Sequence, residues 1–151
     1  MRMNERRFMW RRRLACLTVG AATTIVLACS GGLRIPDPKN ELPFGYVDVP
    51  VQGATVTRTT FVGGWALDNG AITSVRIYLD GKYLSDARIG LERPDVSKVY
   101  PQYAHGANAH GWGVGIDLGD VTGAHMILVQ ATDDSGATRD LGSVSVTVKQ
   151  Q

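Results

Sequence analysis

From Gly45 onward, apolar side chains recur at every second position, and this alternation constrains the fold more than any other feature. Successive side chains of a β-strand point to opposite faces, so residues at i and i+2 lie on one side. In one run Val75, Ile77 and Leu79 share a face, and in another Trp112, Val114, Ile116 and Leu118 do so. Such runs predict short strands that each bury one face.

Seven strands are predicted, with turn residues between them and no convincing amphipathic helix. They cover residues 46–51, 56–67, 75–79, 82–89, 112–118 and 125–132, and a last strand runs through Val144, Val146 and Val148. Val47, Val49 and Val51 should share a face, and Gly63-Gly64 suggests a bulge or bend. Asp80-Gly81 predicts a tight hairpin, and Asp134-Ser135-Gly136 predicts a second turn. This count and spacing predict an all-β sandwich, with Trp65 and Trp112 as its largest core side chains.

The first 28 residues have the layout of a secretory signal peptide. Met1–Arg13 carries six arginines and one acid, and Leu14–Ala28 is an uncharged apolar run of 15 residues. An uncleaved membrane anchor is the alternative, although a spanning helix needs about 20 apolar residues. Residues 29–43 are polar and contain Pro36 and Pro38, so they are expected to form a flexible tether.

The segment Val26-Leu27-Ala28-Cys29 resembles the lipobox of bacterial lipoproteins. The resemblance implies that Cys29 is acylated on sulfur, that the chain is cut before it, and that the new amino terminus is acylated too. Several lipid chains matter because one alone binds a membrane only marginally. Cys29 as a chance cysteine after an ordinary signal is the alternative. Ser30 at the next position resembles lipoproteins sorted to the outer membrane, in an organism that has one.

Residues 44–149 resemble a bacterial immunoglobulin-like module. Six blocks carry the resemblance in order: Gly64–Asp68, Val75–Gly81, Gly90–Val96, Tyr100–Tyr103, Gly111-Trp112, and Gly123–His125 leading to Ala131–Asp133. The resemblance implies an immunoglobulin-like antiparallel β-sandwich and an extracytoplasmic setting. It implies no particular ligand.

The predicted connection from Gly90 to Gly111 is unusually long for a compact domain. Its candidate binding residues, with the tryptophan that follows, are Arg93, Asp95, Tyr100, Tyr103, His105, His110 and Trp112. Residues 96–100 are expected to form one helical turn with Asp95 as its cap and Pro101 at its end. One interpretation is a recognition loop whose aromatic rings bind sugar or peptide. The other is a structural flap in which Arg93 pairs with Asp95 and the tyrosines cover a sheet edge.

Several function classes are disfavoured. From Cys29 onward ten basic and thirteen acidic residues give a net charge of −3, which argues against nucleic acid as a partner. The domain contains no cysteine, no G-x-S-x-G motif and no glycine-rich phosphate loop. His105 and His110 could form a metal pair, and residues 133–136 carry oxygens suited to Ca²⁺, but a hairpin turn explains that stretch better. No metal, cofactor or catalytic residue is therefore expected.

The sequence thus predicts a non-catalytic module of the bacterial cell envelope. Its expected partners are the membrane, through lipid on Cys29, and an envelope protein or glycan. A carbohydrate- or peptidoglycan-binding module that uses the 90–111 loop is the alternative, and a small hydrolase or metalloenzyme is the third hypothesis.

Overall fold

The computed structural model of the chain describes residues 39–104 and 108–150. The predicted signal peptide, Cys29, most of the predicted tether and His105 lie outside the described residues. The described part contains nine strands, one short α-helix and a 3-10 turn at Pro101–Tyr103. The elements are β1 (Phe44–Val49), β2 (Ala54–Thr57), β3 (Thr59–Leu67), β4 (Ile72–Leu79), β5 (Lys82–Asp86), β6 (Arg88–Leu91), α1 (Pro94–Val99), β7 (Gly111–Asp117), β8 (Gly123–Asp133) and β9 (Thr138–Lys149).

The strands form two sheets that face each other. The first sheet has the order β1-β3-β7-β6, and the second has the order β2-β9-β8-β4-β5. All pairs are antiparallel except β2 with β9, which run parallel. The predicted all-β sandwich is confirmed, and one parallel pair departs from the purely antiparallel expectation.

Two of the predicted strands each divide between the sheets, which raises the number of strands from seven to nine. The predicted strand 56–67 divides at Arg58, where β2 ends in the second sheet and β3 begins in the first. The predicted strand 82–89 divides at Ala87 between β5 and β6. The side chain of Arg58 stabilises its crossover through ion pairs of 3.0 Å with Asp117 and Asp120. Alternation of side chains continues through such a crossover, so the apolar pattern does not reveal it.

The core lies between the sheets and contains side chains from both. Its fully buried aliphatic residues include Val62 in β3, Val75 and Ile77 in β4, and Ile127 and Val129 in β8. Trp112 in β7 is the largest fully buried side chain, which confirms its predicted place in the core. A methyl group on Gly64 would overlap the backbone carbonyl of Tyr46 and lie 2.7 Å from the Trp112 ring, so a larger residue at Gly64 would displace both β1 and this tryptophan.

Trp65 was predicted to be a core residue, and this prediction is wrong. It alternates with Gly64 and Ala66, which are buried in the interior, and it therefore points outward from the first sheet. Its ring is half-buried by contacts with Phe44 and Tyr100. The size of an aromatic residue does not tell which of the two faces of a strand it occupies.

The shared face expected for Val47, Val49 and Val51 is also wrong. Val47 is buried, but Val49 and Val51 are exposed. The register of β1 against β3 shifts between Val47 and Val49, so Asp48 is an extra residue in the strand. Such a bulge changes the direction of the following side chains. It lies opposite Gly63-Gly64, where an irregularity was predicted, but the extra residue belongs to the partner strand.

The Asp80-Gly81 hairpin is confirmed. Both residues have positive φ angles, 49° and 79°, as the tight turn between two antiparallel strands requires. His125 lies near the start of β8 and its Nδ1 is 2.6 Å from Asp80 Oδ2. The backbone N–H of Met126 donates to the other carboxylate oxygen of Asp80 at 2.9 Å. The turn is thereby fixed to the neighbouring strand.

We expect Ile127→Ala to lower the free energy of unfolding by about 2 to 5 kcal/mol, because this side chain is fully buried and leaves a cavity. Met126→Ala is the matched control: it lies on the opposite face of β8, is half-exposed, and should cost less than about 1 kcal/mol. Urea unfolding measures both. Equal losses for the two variants would contradict the assignment of the faces.

The His125–Asp80 contact should make stability depend on pH. The hydrogen bond to Asp80 and the Thr122 carbonyl raise the pKa of His125, and hydrogen bonds from His125 and the Met126 N–H lower the pKa of Asp80. The contact therefore stabilises fully between the unfolded pKa values of Asp, about 4, and His, about 6.5. Its contribution decreases as pH rises through the folded pKa of His125, and as pH falls through that of Asp80.

In urea unfolding, the stability difference between wild type and His125→Gln should therefore be larger at about pH 6 than at about pH 9. The control is the same comparison in an Asp80→Asn background, where His125 lacks its carboxylate partner. There the stability difference caused by His125→Gln should change little with pH. A difference that stays constant or grows towards alkaline pH in the wild-type background would refute this interpretation.

Candidate functional site

The predicted loop 90–111 corresponds to the connection between β6 and β7, and it contains α1 and the 3-10 turn. The expected helical turn exists, but it begins two residues early, at Pro94. Proline suits the first position of a helix because its φ angle is preset and the N–H that it lacks would have no partner there. Asp95 was predicted to be the cap, which is wrong: Arg93 holds that position without a capping hydrogen bond, and Asp95 lies in the first turn. Buried Val96 fixes the helix to the domain.

Arg93 connects this segment to the first sheet. Its guanidinium group is 2.5 Å from the carboxylate of Asp48 and 2.7 Å from that of Asp95. The hydrogen bond to Asp95 and the nearby charges outweigh burial and raise the pKa of Arg93, while Arg93 lowers the pKa of Asp95 to about 2. Asp48 is the extra residue of the β1 bulge, and there it meets Arg93.

The two tyrosines of the connection pack on the outer face of the first sheet. Tyr100 and Tyr103 both contact Phe44 edge-to-face, with ring centroids 5.6 and 5.0 Å apart. Tyr100 also lies 5.4 Å from the ring of Trp65, and the Tyr103 hydroxyl donates to Glu41 at 2.7 Å. These contacts lie within the domain, and they cover part of a sheet face rather than a sheet edge.

A cavity of about 300 Å³ opens where β3 ends and β7 begins. Its walls are mostly apolar and include Leu67, Ile72 and Val75. Trp112 and half-buried His110 also line it, so the structure brings these two of the predicted site residues together. Tyr103 is at its rim, whereas Arg93 and Asp95 do not line it.

Two buried aspartates lie at this end of the domain, and sequence analysis did not single them out as a site. Asp68 follows β3 and is 4% exposed, and Asp133 ends β8 and is 1% exposed. Asp133 accepts hydrogen bonds from Asn40 at 2.9 Å, from the Ser135 hydroxyl at 2.7 Å and from the Ala137 N–H at 2.8 Å. These bonds close the predicted turn at 134–136, and they engage both oxygens of the Asp133 carboxylate.

The surroundings of the two aspartates shift their pKa values in opposite directions. Burial, together with the charges of Asp133, Asp134 and Glu41, raises the pKa of Asp68, although the Gly70 N–H opposes this. Burial would also raise the pKa of Asp133, but its hydrogen bonds outweigh burial and lower it. The one available signal in the sequence was an aspartate directly after each of two strongly apolar strands.

The described residues form no cluster of three or more His, Cys, Asp or Glu able to hold a metal ion. His105, one half of the considered histidine pair, lies outside them. Within residues 39–104 and 108–150, no helix has both the length and the apolar composition that crossing a membrane requires.

Comparison with known families agrees with the sandwich. Residues 43–93, which contain β1 to β6, match the family model described as a bacterial Ig domain. The fold is immunoglobulin-like. Domains of this class are typically non-catalytic. No curated protein matches the chain at a significant level.

Solved structures similar to the immunoglobulin-like domain include three from different organisms. The fibronectin(III)-like modules of CbhA from Clostridium thermocellum match 72% of the chain at 20% identity, with a TM-score of 0.49. The chain covers 47% of that structure, about half of its length. CopC from Methylosinus trichosporium OB3b matches 71% of the chain and 95% of its own at 13% identity and a TM-score of 0.40. For extracellular domains 3–5 of Drosophila OTK, the match covers 75% of this chain and 37% of the OTK chain, at 12% identity and a TM-score of 0.37.

We expect Arg93→Ala to loosen α1, because the ion pairs to Asp48 and Asp95 disappear together. The loss of stability should be about 1 kcal/mol, since the pairs are partly exposed, and exchange of the Val96 amide hydrogen should accelerate. Hydrogen exchange and limited proteolysis measure this. Arg88→Ala, an exposed charge removed from β6, is the control. Unchanged protection of α1 in Arg93→Ala would show that the two pairs do not fix it.

Proposed function

We propose that the chain is a lipid-anchored, non-catalytic immunoglobulin-like module of the bacterial cell envelope, with a structural or protein-interaction role. The observation that carries this proposal is the segment Val26-Leu27-Ala28-Cys29 at the end of a 15-residue apolar run and a basic amino terminus. A secretory signal has these parts in this order. Lipid on Cys29 would hold the domain at a membrane surface.

The contacts of residues 39–43 suggest how much chain separates the domain from the lipid. The Lys39 carbonyl accepts a hydrogen bond from Asn69 at 2.8 Å, Asn40 donates to Asp133 and Ser135, and Pro43 is fully buried, so the chain is fastened to the domain from Lys39 onward. Residues 30–38 would then form the spacer. They would reach at most about 32 Å when fully extended, which would let the domain stand clear of lipid headgroups.

Exposed aromatic side chains support an interaction role. Tyr46 is 60% exposed and Phe61 is 54% exposed. Tyr46 pairs with outward-pointing Trp65, and the Phe61 ring covers Gly63 and Gly113 on the same outer face of the first sheet. Aromatic side chains grouped on an exposed face are typical of protein contact surfaces.

The alternative prediction, sugar binding by the 90–111 loop, depends mainly on Tyr100 and Tyr103. Both rings have contacts inside the domain that explain their positions. The structural or interaction role therefore remains the proposal that the geometry supports best.

Metabolic labelling with radioactive palmitate tests the anchor. We expect the full chain, expressed in a bacterium, to incorporate label and to partition into detergent, and globomycin should block its processing. Cys29→Ser should abolish labelling because the acceptor sulfur is gone. Cys16→Ser is the matched control. The lipobox has an aliphatic residue three positions before its cysteine, Val26 before Cys29, whereas Arg13 stands three positions before Cys16, so label should be retained.

Equal labelling of wild type and Cys29→Ser, or recovery of an unlabelled secreted protein, would overturn the anchor. A mature protein that still begins at Met1 in the cytosol would overturn the envelope role as well.

A further inference from the structure

We propose that the cavity at the junction of β3 and β7 binds a small organic ammonium ion with an apolar body and a neighbouring hydrogen-bond acceptor, of the amino alcohol type. Nothing in this inference depends on the lipid anchor. It rests on two buried polar atoms that belong to residues lining one apolar cavity, and on the charge that surrounds them.

The first atom is Asp68 Oδ2. The other carboxylate oxygen of Asp68 accepts the Gly70 N–H at 2.7 Å, but Oδ2 has no hydrogen-bond partner among the described residues, although it is buried. An unsatisfied buried carboxylate oxygen is costly, and native proteins rarely leave one so. Asp68 is one of the residues that line the cavity, so a small rotation of its side chain would bring this oxygen to a donor bound there.

The second atom is Trp112 Nε1. Trp112 is 2% exposed, and its indole N–H likewise has no acceptor among the described residues. Buried tryptophans usually find such an acceptor. Trp112 lines the same cavity as Asp68, so one occupant could present a donor to the carboxylate and an acceptor to the indole.

The charge around the cavity favours a cationic donor. Asp68 is surrounded by the acidic groups of Asp133, Asp134 and Glu41, which disfavour its own negative charge. Among the described residues that line the cavity there is no Lys or Arg. An ammonium group would relieve this accumulation of negative charge, and a charge-assisted hydrogen bond is stronger than a neutral one.

The walls set the shape of the rest of the ligand. Ala66, Leu67, Ile72, Val75 and Ile89 contribute apolar surface, and about 300 Å³ is at the small end of known ligand sites. A compact branched alkyl group fits this lining. A metal ion fits poorly, because the described residues offer no group of three ligands.

Titration with leucinol tests the proposal. The full chain is expressed in a bacterium with 15N labelling and purified in a mild detergent, and the indole N–H resonance of Trp112 is followed. Variants Trp10→Phe and Trp65→Phe identify that resonance. We expect leucinol to shift it in a saturable manner. Isoamylamine, which lacks the hydroxyl, and 4-methyl-1-pentanol, which lacks the ammonium, should each bind at least about tenfold more weakly.

Asp68→Asn is the decisive variant. Its amide oxygen can still accept the Gly70 N–H, but the carboxylate is lost, so leucinol should bind at least about tenfold more weakly. Asp120→Asn removes the same charge from an exposed position near the other end of β3, and affinity should stay within about twofold. Thermal melting establishes that both variants are folded.

Ala71→Leu keeps the charge and narrows the opening of the cavity, so it should also weaken binding if Asp68→Asn fails to fold. An unmoved Trp112 resonance at about 10 mM leucinol, a range in which even millimolar affinity would be seen, would overturn the proposal. Equal affinity in wild type and Asp68→Asn would overturn it too, and so would equal binding of 4-methyl-1-pentanol, since an apolar cavity alone would then explain the result.

Discussion

A single layer of apolar side chains between two sheets holds this domain together. The residues after Cys29 include no cysteine, so no disulfide limits the unfolded chain, and burial has to offset the conformational entropy lost on folding. Trp112 is the largest side chain in that layer, and it depends on the glycine at position 64 for its space. The cavity and the surrounding polar groups lie where this layer ends.

The faces of most strands follow from the sequence, because the pleat of a strand has a period of two. Val75 and Ile77 are buried as the alternation predicts, and Asp80-Gly81 forms the hairpin that its residue types favour. The sheet to which a strand belongs does not follow in this way. It depends on partners far along the chain, so the divisions at Arg58 and Ala87 leave no trace in the alternation.

The polar end of the domain is harder to predict for the same reason. Asn40 meets Asp133 across 93 positions of sequence, and no local pattern signals such a contact. The pairing of Arg93 with Asp95 could be proposed because they lie only two positions apart, but the contact of Arg93 with Asp48 requires the bulge in β1. Trp65 illustrates the limit for large apolar residues, since a tyrosine and a phenylalanine cover it on the outside of the sheet.

The two crossovers at Arg58 and Ala87 have a consequence for how the domain opens. The chain passes from the second sheet to the first at both points without an intervening loop, so neither sheet can separate from the other while its own strands stay paired. Partial unfolding of one sheet would therefore distort the backbone of the other at these two points. We therefore expect the two sheets to unfold together in one cooperative transition rather than one after the other.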